Sequence, residues 1–300
     1  MSTADIAEIK RFAVHDGDGI RTTVFFAGCP LRCLWCHNPE TFTRTPRLML
    51  YRHKCTGCGT CAALCACHSL GTDGHTVDRT ACTGCGRCVR ACPSEALSLS
   101  SRRMRTEEIA ALLLRDREFY RNSDGGITLS GGECLCQADA CVEILREMKK
   151  EGVNTAVDTC GFVPRTALDA VLPYTDTFLY DIKAMDGETH LRCTGRPNRE
   201  ITENLCYLLS RGARAEIRYP YVPGCNDGEA EAIARFLSAL PPVVRVRVLP
   251  YHDYMRSKYA ALDLPEHLPA RLPTKEELAH AEQIFRAYGL PCGEDDGAKS

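Results

Sequence analysis

Long apolar runs, an excess of charge and an export signal are all missing from this sequence of 300 residues. No stretch approaches the roughly 18 uninterrupted apolar residues that cross a membrane, so no membrane partner is expected. The polar start Met1-Ser-Thr-Ala-Asp5 lacks the charged and apolar regions of a signal peptide, which predicts a cytoplasmic protein. A formal net charge of -2 provides no basic surface for nucleic acid. Tryptophan occurs once, at Trp35.

Cysteine, in contrast, is abundant, with 20 residues. In a chain without an export signal this number favours metal binding over disulfides, because the cytosol keeps thiols reduced. Eleven cysteines belong to three spaced motifs, and so many free thiols suit an anaerobic organism. Most of the others are more simply interpreted as small buried residues than as ligands. These nine are Cys67, Cys134, Cys136, Cys141, Cys160, Cys193, Cys206, Cys225 and Cys292.

The first motif is Gly28-Cys-Pro-Leu-Arg-Cys-Leu-Trp-Cys-His37, in which Cys29, Cys33 and Cys36 have the spacing C-x3-C-x2-C. Three thiolates are one fewer than the four that complete the ligation of an iron-sulfur cube. An iron without a protein ligand can bind a substrate or cofactor, as the open position of a catalytic metal does. The motif therefore predicts chemistry at iron.

The second and third motifs are two copies of C-x2-C-x2-C-x3-C, displaced by 27 residues. Such a duplication, with Pro93 after its last cysteine, is typical of two-cluster ferredoxins, in which the fourth cysteine of each run ligates the other run's cluster. The predicted ligand sets are Cys55, Cys58, Cys61 and Cys92 for one cluster, and Cys65, Cys82, Cys85 and Cys88 for the other. In the first run Ala66 stands where proline is usual and Cys67 follows, so Cys67 remains an alternative ligand to Cys65.

Apolar β-branched runs alternate with amphipathic stretches along the rest of the chain. The predicted strands are 22–27, 126–129, 155–158, 177–182, 215–219 and 243–249. The predicted crossover helices are 106–121, 137–151, 164–172, 199–211 and 228–240. This alternation predicts an α/β fold with parallel strands and outer helices, in an open or closed barrel whose chemistry gathers at the carboxyl ends of the strands.

Several polar motifs fall at these predicted strand ends. In Thr128-Leu-Ser-Gly-Gly-Glu133, two glycines let the backbone approach a ligand and the glutamate offers a carboxylate, although a plain turn explains the glycines equally well. The charges of Asp181 and Lys183 flank the end of an apolar run, where a functional role competes with a simple surface pair. Alone, His252 would usually be a structural histidine. The other polar residues at or near strand ends are Asp158, Thr159 and Arg218.

Together these segments resemble the radical S-adenosylmethionine superfamily, and within it the activating enzymes of glycyl radical enzymes. The resemblance spans nearly the whole chain, and the paired cysteine runs are similar to the longer branch of that family. The motifs that carry it are Arg11-Phe-Ala-Val-His-Asp-Gly-Asp-Gly-Ile-Arg21, the cysteine motif with Cys-His-Asn-Pro-Glu40, Ser130-Gly-Gly-Glu133, Asp158-Thr-Cys-Gly161, Asp181-Ile-Lys183, Pro223-Gly-Cys-Asn-Asp227 and Leu249-Pro-Tyr-His252. Asp18 and Cys134 depart from it, because the family often has proline at both positions.

The resemblance implies that the open iron binds S-adenosylmethionine and that a 5'-deoxyadenosyl radical takes hydrogen from a glycine of a partner protein. Cys29, Cys33 and Cys36 would then be catalytic together with Lys183 and His252, which would line the nucleotide and sulfonium side. Gly131, Gly132 and Glu133 would hold the methionine moiety. Asp158, Thr159 and Asp181 would lie near the sulfonium, where the family can bind a monovalent cation, with Arg218 as a weaker candidate. Trp35 would shield the cluster, face adenine or simply pack in the core.

The resemblance also predicts the organisation of the chain. Residues 1–50 and 100–292 would form a partial (β/α)6 TIM-type barrel, and residues 51–99, here called the cysteine-rich segment, an inserted ferredoxin-like domain. Residues 293–300 are predicted to be disordered. With three [4Fe-4S] clusters, the protein would take electrons from an external reductant such as flavodoxin or ferredoxin. The alternatives are a radical enzyme with a small-molecule or RNA substrate, and a non-catalytic electron carrier with structural metal such as zinc.

Overall fold

A mixed sheet of eight strands is the largest element of the computed structural model, which describes residues 2–72 and 74–293. The predicted disordered tail therefore lies outside the described residues, except for Gly293. The strands are β1 (Thr3–Ala13), β2 (Arg21–Phe26), β3 (Leu48–Leu50), β4 (His68–Gly71), β5 (Gly74–Val77), β6 (Leu97–Leu99), β7 (Arg102–Arg105), β8 (Gly126–Gly131), β9 (Asn154–Thr159), β10 (Thr177–Asp181), β11 (Ala215–Tyr221) and β12 (Arg245–Pro250). The helices are α1 (Thr60–Leu64), α2 (Arg87–Arg90), α3 (Thr106–Leu114), α4 (Arg117–Ser123), α5 (Ala138–Lys150), α6 (Arg165–Val171), α7 (Gly187–Thr194), α8 (Arg199–Ser210), α9 (Ala230–Ser238), α10 (Arg256–Ala261) and α11 (Lys275–Ala287).

The large sheet has the strand order β12-β11-β10-β9-β8-β2-β1-β7. Pairing is parallel from β2 to β12, whereas β1 pairs antiparallel with both β2 and β7. The prediction of an α/β fold with parallel strands is thus confirmed, and the predicted strand ends differ from the observed ones by no more than two residues. Parallel strands carry all their carboxyl ends at one edge of the sheet, so the loops after β2, β8, β9 and β10 are neighbours.

The antiparallel strands β1 and β7 were not predicted. The second half of β1 is largely exposed and carries the charges of Glu8, Lys10 and Arg11, so it shows no continuous apolar run. The single helix predicted for 106–121 is also wrong, because the chain forms α3 and α4 instead. At the break, the carboxylate of Asp116 accepts hydrogen bonds from Thr22 and Arg11 rather than capping α4.

Helices pack on the sheet through one apolar face each. In α5, Cys141, Ile144 and Met148 are fully buried, whereas Lys149 and Lys150 at its end are exposed. This three-to-four-residue spacing is the pattern of an amphipathic crossover helix. No helix within the described ranges is long and apolar enough to cross a membrane.

The cysteine-rich segment forms its own small elements between β2 and β7. Strand β6 pairs antiparallel with β3, which lies just before the segment, and β4 pairs antiparallel with β5 within it. Helices α1 and α2 follow Gly59 and Gly86, whose φ angles of 77° and 73° lie in the left-handed region that glycine adopts without strain. These glycines are 27 residues apart, so the duplication in the sequence is also a duplication of local structure.

Candidate functional site

The first cysteine motif lies on the loop that follows β2, here called the cysteine loop (residues 28–37). Its backbone is fixed by α7, because Arg32 N donates to the carbonyl of Thr194 (2.7 Å) and Leu34 N donates to that of Cys193 (2.9 Å). The three thiols on this loop are those of Cys29, Cys33 and Cys36, all partly buried. Burial raises the pKa of Cys33 to about 12, so the thiolate form requires a compensating positive charge such as iron.

The glycine pair after β8 packs directly on this loop. A Cβ on Gly132 would lie 2.4 Å from the carbonyl oxygen of Gly28 and 2.9 Å from the Cβ of Cys29. Gly131 has a φ of 120°, and a Cβ there would lie 2.2 Å from the nitrogen of Phe26. Because both distances are far inside van der Waals contact, only glycine permits this approach. The pair therefore holds the end of β8 against the cysteine loop.

The carboxylate of Glu133 lies in the interior with no exposed surface. It accepts hydrogen bonds from the hydroxyl of Thr159 (2.9 Å), the backbone nitrogen of Cys160 (2.8 Å) and that of Leu135 (3.1 Å). Burial raises its pKa, which these three donors oppose. In the described structure this carboxylate thus ties the end of β8 to the end of β9.

Two ion pairs lie at or near the ends of β9, β10 and β11. The carboxylate of Asp158 accepts a hydrogen bond from Ser130 (2.6 Å) and lies 3.5 Å from the guanidinium of Arg218. Burial raises the pKa of Asp158 to about 7, although Arg218 opposes the shift. Lys183 pairs with Asp181 at 2.5 Å. Burial opposes the charged ammonium, but Asp181, Cys33 and Cys160 together outweigh it and the pKa of Lys183 is raised. The surface-pair alternative for these two residues does not fit, because Lys183 is only 8% exposed.

His252 follows β12 and forms an aromatic stack beside the cysteine loop. Its ring stacks on that of His37, with centroids 3.9 Å apart, and on that of Tyr254, at 4.6 Å. Burial lowers the pKa of both histidines, that of His37 to about 4, so both rings are neutral at pH 7. Within the described residues, Nε2 of His37 and Nδ1 of His252 are buried without a hydrogen-bond partner. The stack therefore contains two buried polar atoms whose hydrogen-bonding capacity is not satisfied by the described residues.

Trp35 is 5% exposed and belongs to a small apolar cluster with Val222, Tyr251, Met255 and Tyr259. These residues come from the loops and helix that follow β11 and β12. The indole thereby packs the cysteine loop against the residues that follow β11 and β12. Of the three roles considered for Trp35, this is packing in the core.

The cysteine-rich segment contains a small cavity that is lined by one complete predicted ligand set. The thiols that line it are those of Cys55, Cys58, Cys61 and Cys92. Cys92 belongs to the second run and the other three to the first, so the walls of the cavity have the crossed composition that the ferredoxin pattern predicts. Four thiols around one cavity fit a [4Fe-4S] cube.

The other set is centred on α2. The pKa of Arg87 is raised by its hydrogen bond to Cys85 and by the nearby charges of Cys65 and Cys88. The thiol of Cys67 donates a hydrogen bond to Cys65, which raises the pKa of Cys67 to about 11. The two thiols therefore lie side by side, and the ligand set keeps Cys65 by its spacing alone.

Two buried histidines of this segment were not predicted: His75, which lines the cavity, and His68, which contacts His75. Both stand between the two cysteine runs, and a pair of histidines among cysteines was the available signal. Their contacts with each other depend on the pairing of β4 with β5, which the sequence did not predict.

Comparisons with known proteins agree with this geometry. Residues 77–237 match the model of the radical SAM superfamily. The chain is 40% identical to the benzylsuccinate synthase activating enzyme of Thauera aromatica, covering 86% of this chain and 81% of that one. It is 36% identical to the trans-4-hydroxy-L-proline dehydratase activating enzyme of Clostridioides difficile, covering 94% and 96%. Streptococcus suis SuiB bound to S-adenosylmethionine is similar in fold alone, with a TM-score of 0.51, 12% identity and coverage of 63% of this chain and 43% of that chain.

Proposed function

This chain belongs to the radical SAM superfamily and, within it, to the activating enzymes of glycyl radical enzymes, and we propose that it activates one such partner protein. S-adenosylmethionine is cleaved reductively to methionine and a 5'-deoxyadenosyl radical, which takes a hydrogen atom from the α-carbon of a glycine in the partner. The observation that carries the proposal is the contact between the open cysteine loop and the glycine pair, at the ends of the paired parallel strands β2 and β8.

The cysteine loop fits the open [4Fe-4S] cluster by its donor set, because three thiols and no fourth ligand come from one rigid loop. When bound, the cluster supplies one electron and an iron position for the amino and carboxylate groups of S-adenosylmethionine. The backbone of Gly131 and Gly132 lines the methionine moiety. Glu133 fixes that backbone through its three hydrogen bonds, so we assign it a positioning role in methionine binding.

The carboxylates after β9 and β10 lie near the sulfonium in this proposal. Asp158, Thr159 and Asp181 would provide oxygen ligands for a monovalent cation there, since hard cations prefer oxygen. Arg218 supports the group by holding the carboxylate of Asp158. Its guanidinium also donates to the carbonyl of His15 (2.9 Å), which keeps it in place.

The remaining residues line the nucleotide and sulfonium side. Lys183 lies close enough to Cys33 to affect the pKa of that thiol, so its ammonium is available next to the open iron. The ring of His252 is neutral, and its buried Nδ1 has no hydrogen-bond partner in the part of the chain that the structure describes. Trp35 shields the cysteine loop from water through its apolar cluster. Excluding water protects a reactive radical from side reactions.

We further propose that residues 1–50 and 100–292 form the partial (β/α)6 barrel of the family. Contacts across the concave face support curling of the sheet, because Asp18, before β2, contacts Arg245 on the far strand β12. On the same face, the carboxylate of Glu216 forms ion pairs with the guanidinium groups of Arg245 (2.6 Å) and Arg247 (3.1 Å). It also lies 3.6 Å from that of Arg218. Such a charge network stabilises an interior only when its members remain paired.

The cysteine-rich segment is proposed to be an inserted ferredoxin-like domain that relays electrons from flavodoxin or ferredoxin to the open cluster. The cavity lined by one crossed ligand set supports this assignment. The segment docks on the helix α10 side of the protein through Asp263, which pairs with Arg52 (2.7 Å) and Arg79 (2.8 Å). None of the 20 cysteines, which all lie within the described residues, forms a disulfide, and we propose the reducing cytoplasm as the compartment.

The activity is tested by anaerobic incubation of the reconstituted protein with S-adenosylmethionine, a strong reductant and each of a panel of glycyl radical enzymes. Electron paramagnetic resonance should show a glycine-centred doublet in one partner, with a matching amount of 5'-deoxyadenosine. The Cys33→Ala variant should give neither. A wild-type chain that forms 5'-deoxyadenosine with every partner but never the doublet would contradict the activase proposal, and one that forms neither product would contradict the radical chemistry.

The relay is tested separately with Cys58→Ala and Cys85→Ala. Each should remove about four iron atoms per chain, leave S-adenosylmethionine binding intact and slow activation by reduced flavodoxin. Cys206→Ala is the matched control, because Cys206 lies on α8 outside every motif. Unchanged activation rates in the two cluster variants would exclude the relay and leave a structural or docking role.

A further inference from the structure

One buried histidine, His75, lines the cavity of the cysteine-rich segment, and a second, His68, contacts it. His68 on β4 and His75 on β5 are each 5% exposed, and Nδ1 of His68 is 2.9 Å from Nε2 of His75. Nδ1 of His75 is 3.4 Å from Sγ of Cys55, and its Nε2 is 3.6 Å from Sγ of Cys61. His75 is thus placed between a cysteine thiol and a second imidazole.

The chemistry of a ligated cysteine determines where the protons lie. A thiolate bound to iron is only an acceptor, so Nδ1 of His75 must carry the proton in its contact with Cys55. A neutral imidazole has a single N–H, and two facing ring nitrogens 2.9 Å apart share one proton. Nε2 of His75 is therefore an acceptor, and Nδ1–H of His68 donates to it. This arrangement satisfies both inner nitrogens and leaves the contact with Cys61 as simple packing.

We propose that His75, oriented by His68, donates a hydrogen bond to Cys55 and thereby raises the reduction potential of the cluster in this cavity. The inference rests on the proposed ligand set. The reduced cluster carries one more negative charge than the oxidised cluster, so an N–H aimed at its thiolate stabilises the reduced form more. His75 is a positioning residue for this cluster, and it makes the cluster an easier acceptor for an electron from the external reductant.

Direct ligation of a metal by His75 is the competing arrangement. Cys61, His68 and His75 offer ligand atoms that all lie within 4.8 Å of one another. Two imidazole nitrogens on one tetrahedral metal, at about 2.0–2.1 Å each, would be about 3.3 Å apart. The observed separation of 2.9 Å is instead that of a direct N–H···N hydrogen bond. The four thiols around the cavity also leave no need for a nitrogen ligand.

The test is a potentiometric titration of the fully reconstituted chain followed by electron paramagnetic resonance. The signal that disappears in Cys58→Ala identifies the cluster of the cavity. In His75→Leu its midpoint potential should shift downward with unchanged iron and sulfide content. His75→Gln, whose amide can donate, should shift it less, and His53→Leu, at an exposed histidine of the same segment, should leave it unchanged.

A midpoint that is the same in His75→Leu and in the wild type overturns this inference but leaves the relay intact. Absence of any Cys58-dependent signal overturns the cluster assignment itself and this inference with it. If both His75 variants lose the cluster, the test is made on wild-type protein labelled with 15N-histidine, in which the magnetic coupling of histidine nitrogen to the reduced cluster is measured. A weak nitrogen coupling to the reduced cluster is expected from a hydrogen bond, whereas no coupling, the strong coupling of a ligand, or stoichiometric zinc overturns the proposal.

Discussion

Replacing Gly132 by alanine should disrupt the cysteine loop without changing any ligand. The new methyl group would lie 2.4 Å from the carbonyl oxygen of Gly28, about 1 Å inside the 3.4 Å at which ordinary contact begins. Relief of the clash moves apart two backbones that are joined by the hydrogen bond from Glu133 N to Gly28 O (2.8 Å). Overpacking costs about 1–3 kcal/mol and a weakened buried hydrogen bond about 1 kcal/mol more, so we expect about 2–4 kcal/mol of destabilisation.

The assay is anaerobic guanidinium unfolding followed by circular dichroism, with iron content measured on the same samples. Gly228→Ala is the matched control, because Gly228 also lies outside the left-handed region and has no atom within 4 Å of the new methyl group. Gly132→Ala should in addition lose up to the four iron atoms of the open cluster. Equal unfolding midpoints and equal iron contents in the two variants would refute the reasoning.

Three further changes test the buried charges. Glu216→Gln removes the shared partner of three arginines and should destabilise the chain by about 3–5 kcal/mol in denaturant unfolding. Glu231→Gln, at an exposed side chain of α9, should cost under about 1 kcal/mol, and equal losses would contradict the network. In the wild type the ammonium of Lys258 lies 2.5 Å from the buried carboxylate of Glu40. Lys258→Met removes this partner and should lower the free energy of unfolding by about 1–3 kcal/mol in the same measurement. An unchanged midpoint would show that the ion pair does not stabilise the fold. Burial lowers the pKa of His190 below its ordinary value near 6.5, so the folded chain binds fewer protons and loses stability as the pH falls below about 6.5. His190→Asn should make that loss shallower in thermal unfolding from about pH 7.5 to 5.5, and an unchanged slope would exclude His190 as a contributor.

The buried parallel strands were predictable because each is a continuous apolar run. Strand β10, Thr177–Asp181, was placed to within one residue. Strand β1 was missed because Lys10 and its neighbours face solvent. It also pairs antiparallel with β2, so no crossover helix follows it that would have indicated a strand. The break between α3 and α4 depends on a contact of Asp116 with a strand about a hundred residues earlier, which local sequence does not contain.

In the candidate site, most of the predicted metal ligands came from the spacing of the cysteines. The predicted membership in the radical SAM superfamily is confirmed, and the residues after β2, β8, β9 and β10 follow neighbouring strands. The partners of Glu133 were not predictable, because Thr159 and Cys160 reach it only through the pairing of β8 with β9. His75 was missed for the same reason, since its neighbours come from a hairpin and not from a spacing.

The ladder between β3 and β6 has a consequence for how the chain can be rebuilt. Leu48 is opposite Leu99 and Leu50 is opposite Leu97, and Tyr51 N donates to the carbonyl of Ala96 (2.8 Å). The two ends of the cysteine-rich segment therefore leave the rest of the protein side by side, as the two legs of a hairpin do. A tight turn of a few residues could join them with little loop-closure entropy. With such a turn in place of residues 51–96, β3 and β6 stay paired, and we expect the shortened chain to keep the open cluster and to accept electrons directly from an artificial reductant.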